Sequence, residues 1–138
     1  MIINFEGYQL DIDIEATKKY YTSNEICNCF ACQNYYAQAK DKFKKIDKFV
    51  SVFGIDILRP DETAWIETDN YIDYIEITYT ICGKILKSAE SEIEVDDTMP
   101  LSIVFDNKYI PNSHKDETWF SLKIYNIKLP YELEDEDF

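Results

Sequence analysis

Glycine is scarce in this 138-residue chain, which holds three. No GxGxxG, P-loop or GxSxG pattern can be built from so few, so phosphate-cradling loops and nucleophile elbows are excluded. Histidine is scarcer, with His114 alone, which excludes an HExxH metal site. His114 stands in PNSHKDE, beside no serine or cysteine pattern that would mark a nucleophile and its base. No apolar run approaches the ~20 residues that cross a bilayer as a helix. The opening MIINFEGYQL has no basic residue and carries Glu6, unlike a secretory signal, so a cytoplasmic protein is expected. Arginine is limited to Arg59, one of fourteen basic residues. No stretch alternates acids and then supplies the glycine of an EF-hand loop. No nucleophile–base pair or carboxylate dyad stands out, and the chain is not expected to be an enzyme.

Acid is abundant. The formal net charge is −13. Residues 1–48 hold seven basic and seven acidic side chains, whereas residues 49–138 hold seven and twenty, so the whole excess lies in the second part. Such a field repels nucleic acid and anionic membranes and attracts basic protein surfaces. It also keeps a small protein soluble, and that plainer role competes with recognition. The carboxylates offered for a partner are Glu90, Glu92, Glu94, Asp96 and Asp97, with Glu132, Glu134, Asp135, Glu136 and Asp137 in the tail.

Apolar residues make up 46%, enough for one core, and a single domain over 1–138 with a mobile acidic tail at 131–138 is expected. Cys29, Cys32, Tyr36, Ala39, Phe43, Ile46, Val50 and Phe53 recur at steps of three and four, predicting one long amphipathic helix over about 28–53. Asn28 is its expected N-cap and Gly54 its expected C′ residue. Alternation predicts a hairpin over 2–14 turning at Glu6-Gly7. A short helix at 15–22 follows. Strands are expected at 63–68, 71–87, 101–105 and 117–129, with a short one possible at Ile93–Val95. In the longest, Tyr71, Ile75, Ile77, Tyr79, Ile81 and Ile85 are assigned to one face and Tyr74, Glu76, Thr78, Thr80 and Cys82 to the other. The last strand changes parity between Ile124 and Tyr125, which predicts a bulge near Ile124–Asn126. No β-α-β repeat occurs. The expected fold is α+β, a curved antiparallel sheet packed on one long helix.

Cys27-Asn28-Cys29-Phe30-Ala31-Cys32 is the densest cluster of chemistry. Three thiolates at a helix start suit zinc, which takes four nitrogen or sulfur ligands, and Cys82 or His114 could complete the set. Buried cysteines also serve as small hydrophobes, and the spacing is not that of paired knuckles. No cofactor is expected on the leading interpretation, and zinc on the alternative one. Eleven tyrosines exceed what the apolar stripes use. Tyr20, Tyr21, Tyr35, Tyr71, Tyr74, Tyr109 and Tyr131 could decorate a binding surface or fill the margins of the core.

CNCFACQNYYAQAKDKF, FGIDILRPDE, YTICGKI and the closing LPYELEDE resemble a family of small bacterial and prophage proteins. That family is marked by a C-x-C-x-x-C-x-N segment and carries no assigned activity. Tyr131 stands where the pattern has Trp, and Thr80 where it has His. The resemblance implies a phage-linked context in a bacterial host cell. Together with the acidity it leads to a specific expectation: a non-enzymatic, anti-CRISPR-like inhibitor. It would mimic nucleic acid on the basic surface of a CRISPR nuclease or another defence protein, with no direct nucleic-acid or membrane partner. The alternative is a zinc-stabilised structural or adaptor protein held by Cys27, Cys29, Cys32 and Cys82.

Overall fold

Glu6 and Gly7 both take positive φ, 50° and 87°, the backbone of a two-residue type I′ turn. That turn folds β1 (Ile2–Phe5) onto β2 (Tyr8–Ile12), as the alternation predicts. The chain is seen in a computed structural model that describes residues 1–23, 26–89, 93, 102–106 and 119–131. After the hairpin come α1 (Ile14–Ser23), α2 (Phe30–Lys42), α3 (Lys44–Ser51), β3 (Glu62–Glu67), β4 (Tyr71–Lys87), β5 (Ser102–Asp106) and β6 (Trp119–Pro130). The mixed α and β composition with an antiparallel sheet is the expected class.

β4 is the spine of the sheet. β6 pairs with it from Tyr71↔Pro130 to Cys82↔Trp119, and β5 lies beyond β6. The opposite side of β4 is shared. β3 takes its first part, Ile72 to Thr78, and β2 its last, Gly83 to Lys87. The strand order is β1-β2-β4-β6-β5, with β3 beside β4. Ile93 adds an isolated bridge to Ile103; the rest of the expected Ile93–Val95 strand lies outside the described residues, as does the tail from 132 to 138.

The parity change in β6 is real. Asn126 has φ 69°, and Ile124 and Ile127 are both buried on either side of it. β4 switches at the same level. β3 skips one residue of β4 there, pairing Ala64 with Glu76 and Trp65 with Tyr74. Ile75 is the extra residue of a bulge. The face assignment in β4 is therefore corrected on the N-terminal side of the bulge: Ile72 and Tyr74 are buried and Ile75 is 43% exposed. Asp73, an intruder in an unbroken alternation, falls on the outer side once the bulge is counted.

The single long helix is also corrected. It is two helices meeting at Phe43, whose φ −117° and ψ 52° are not helical. Phe43 N–H still donates the last bond of α2 to Ala39 O, and its carbonyl accepts the first bond of α3 from Asp47 N. Side-chain spacing cannot register this break, because Ala39, Phe43, Ile46 and Val50 are buried straight across it. The start of α2 is moved too: Cys29, not Asn28, is the N-cap, its Sγ accepting from Cys32 N. At the other end Gly54 has φ 89°, with Gly54 N bonded to Ser51 O and Ile55 N to Val50 O. Those two bonds are a Schellman closure with glycine at C′.

The buried face of α2 contains more than the apolar stripe. Asn34 and Gln38 are buried, and both donate to Pro130 O at the end of β6, at 3.1 and 2.8 Å. Tyr35 and Tyr74 are buried as well, so they and the buried Tyr20 and Tyr21 are not surface decoration. Tyr71 is half-buried, Tyr131 is exposed, and Tyr109 lies outside the described residues. Tyr79 donates to Ile57 O at 2.6 Å, which leaves Tyr35 to donate to the Tyr79 oxygen at 2.6 Å. Burial holds both phenols well above the usual tyrosine range. A run of rings, Phe5–Phe49–Phe53–Phe105–Phe120, with centroids 5.2 to 6.0 Å apart, links the hairpin, α3, β5 and β6.

α1 closes the interval that β3 and β2 leave on β4. Tyr21 OH donates to Thr80 O and accepts from Thr80 N, both at 2.8 Å. Thr17 Oγ1 accepts from Cys82 N at 3.0 Å, and Asp13 N donates to Cys82 O at 2.9 Å. Side chains of a helix thus complete a ladder where no strand reaches, as buried backbone groups require.

Candidate metal centre

Cys27 and Cys29 lie just before α2 and Cys32 in its first turn, so local geometry alone brings them together. Their three sulfurs lie within 4.8 Å of one another. Cys29 N points to Cys27 Sγ and Cys32 N to Cys29 Sγ, each at 3.4 Å. On the inner side Cys32 Sγ is 3.2 Å from Thr63 Oγ1 of β3, and this contact seats the start of α2 on that strand. Tyr36 OH donates to Cys27 O at 3.1 Å, tying the segment back onto the helix that follows it.

The three thiols sit in graded surroundings. Cys27 is exposed, Cys29 half-buried and Cys32 buried. The Cys29 backbone N–H holds the Cys27 thiol below its ordinary value, whereas burial pushes Cys32 up to about 12. No disulfide joins any of the four cysteines. The cluster opens on a cleft of about 370 Å³ whose walls also include Asp61, Glu62, Thr63 and Trp65. Asp61 is engaged from behind, its two carboxylate oxygens accepting from Tyr20 OH and Thr80 Oγ1.

Cys82 is not with the other three. It lies on β4 opposite Trp119, its backbone N–H bonded to Thr17, beside a different cleft lined by Met1 and residues 11–15. The cluster of described residues thus holds three of the four expected ligands. His114, the other possible fourth ligand, lies outside the described residues. So do all ten expected partner-binding carboxylates: Glu90, Glu92, Glu94, Asp96, Asp97, Glu132, Glu134, Asp135, Glu136 and Asp137. Thr80, where the resembled pattern has His, is buried on β4 and bonded to Asp61, away from the sulfurs' group.

A tetrahedral zinc with Zn–S bonds near 2.3 Å requires sulfurs about 3.8 Å apart. The three sulfurs, all within 4.8 Å of one another, stand at most about 1 Å beyond that spacing. Sequence inspection did not find the Tyr20–Asp61–Thr80 group. Its members are 19 to 60 residues apart, and no local pattern announces such a contact. Among the described residues no helix is long and apolar enough to cross a membrane. No family model, no curated protein and no solved structure matches the chain.

Proposed function

We propose that this protein is a zinc-stabilised structural or adaptor protein whose ion is held by Cys27, Cys29 and Cys32. The observation that carries the proposal is the convergence of three sulfurs within 4.8 Å. Cysteine used only as a small core hydrophobe would be buried throughout, yet Cys27 is exposed and Cys29 half-buried. The fourth position faces the cleft, where water or a wall carboxylate such as Glu62 would meet it. An ion there would bind the connection between α1 and α2 to the first turn of α2, and through Cys32 and Thr63 to β3. Its binding energy is then folding energy.

Elemental analysis of untagged protein tests this. About one zinc per chain, lost in a Cys27→Ser/Cys29→Ser variant, is expected. Absence of zinc after purification with zinc present removes the proposal. Chelation of the bound ion should lower Tm by roughly 5 °C or more, about 1 kcal/mol or more for a chain of this size.

A second reading is supported by the charge of −13 and its confinement to residues 49–138. In it the chain is a phage-type, non-enzymatic inhibitor that presents carboxylates to the basic groove of a nucleic-acid-handling defence protein. Its test is binding to a purified CRISPR nuclease across a salt series. Affinity that does not fall between low and physiological salt counts against it.

A further inference from the structure

β3 has one strand neighbour, β4, among the described residues. Which of its backbone groups face outward follows from the closure of β4 by α1. Thr80 and Cys82 turn their N–H and C=O away from β6, toward Tyr21, Thr17 and Asp13. Alternate residues of an antiparallel strand turn to the same side. Thr78 and Glu76 therefore face β3, and their partners Glu62 and Ala64 face back. β3 itself carries no extra residue, so Ile66 faces back as well, opposite Asp73, in line with Thr68 N donating to Tyr71 O two residues further on. Thr63, Trp65 and Glu67 are left with their N–H and C=O directed outward.

The side chains along this edge have one character. Trp65 is 37% and Ile66 55% exposed. Glu62 and Glu67 stand at the two ends of β3, about 17 Å apart in an extended strand. Residues 60–83 contain six acidic side chains and no basic one. A second copy of this chain is a poor occupant, because two-fold pairing of β3 with itself lays the acidic 60–83 stretch of one copy, which has no basic residue, along that of the other, like charge on like. The chain's own stretches 90–101 and 132–138 carry no basic residue and are repelled in the same way.

We propose that the outer edge of β3 is a docking site for an extended segment of a partner protein, with a β-branched or aromatic middle flanked by lysine or arginine five residues apart. The segment adds a seventh strand. Its backbone pairs with Thr63, Trp65 and Glu67, its middle covers Trp65 and Ile66, and its cations meet Glu62 and Glu67. This names the partner for the adaptor part of the reading above and rests on that part, not on the metal.

The test uses a labelled synthetic peptide, Ser-Lys-Thr-Val-Tyr-Val-Lys-Ser, titrated with the full chain by fluorescence anisotropy, with zinc measured on the same sample. Saturable binding is expected. N-methylation of one alternate set of peptide amides should weaken it about tenfold, while methylation of the other set leaves it within about twofold, the signature of strand pairing along one edge. Glu67→Gln should weaken binding about threefold at low salt, and the difference should vanish at high salt. No saturable binding, or equal effects of the two methylated peptides, overturns the inference. So does concentration-dependent self-association that the peptide does not displace. Peptide binding by a chain that takes up no zinc keeps this inference and removes the metal. Zinc without peptide binding does the reverse.

Discussion

β4 offers its free side to two very different neighbours. Between β3 and β2, at Thr80 and Cys82, the ladder is completed by a tyrosine, a threonine and one main-chain amide at the start of α1. A short distance away, β3 completes the ladder with its own backbone and leaves its far side open among the described residues. The first edge is buried and served by polar side chains, and Thr17 and Tyr21 are themselves buried. The second is flanked by carboxylates and carries exposed Trp65 and Ile66. The same backbone need is thus met once by side chains chosen for the purpose and once left to solvent or to a partner. The comparison separates residues that hold the fold from residues available for recognition.

The closed edge should be easy to break, and the hardest blow comes from outside it. A Cβ on Gly54 would sit 2.8 Å from Ile14 O and 3.2 Å from Thr17 Cβ, at a φ of 89°. Gly54→Ala therefore strains the Schellman closure and pushes α1 away from β4 together. A loss of about 2–4 kcal/mol is expected in denaturant unfolding, because backbone strain and overpacking add. Tyr21→Phe keeps the ring and removes the hydroxyl that serves both Thr80 groups. Leaving a buried N–H and C=O unpaired should cost about 2–3 kcal/mol. Thr17→Val is nearly isosteric and strips one acceptor from Cys82 N, for about 1–2 kcal/mol. A Tyr21→Phe variant as stable as the parent would show that α1 does not complete the ladder.

The closed edge was invisible to sequence inspection and the hairpin was not, and the reason is distance along the chain. Glu6-Gly7, Gly54 and the parity change at Asn126 are local: each states a backbone conformation within a few residues. The cysteine cluster is local in the same sense, which is why its three sulfurs were gathered correctly while Cys82, fifty residues on, was not. Tyr21 and Thr80 are 59 residues apart, and nothing beside Tyr21 distinguishes a phenol that caps a strand from one that decorates a surface. Asn34 and Gln38 read as the polar margin of a helix because their acceptor, Pro130 O, is more than ninety residues away. The break at Phe43 escaped for another reason. Hydrophobic spacing records which side chains are buried, and burial runs unbroken through a residue whose φ and ψ leave the helix.

The open edge should be hard to break. Ile66 is 55% exposed, and β3, which carries it, has no strand opposite its outer side among the described residues. Ile66→Thr keeps β-branching and the extended backbone, so stability should change by no more than about 0.5 kcal/mol. Hydrogen exchange gives the finer contrast in the unmodified chain. The amides of Thr80 and Cys82 should exchange only through unfolding that detaches α1, whereas those of Thr63 and Trp65 should exchange at rates near those of exposed peptide. A Tyr21→Phe variant should speed Thr80 and leave Trp65 unchanged. If Thr63 and Trp65 were instead as slow as Thr80, the outer side of β3 would already be paired, and the site available to a partner strand would be gone.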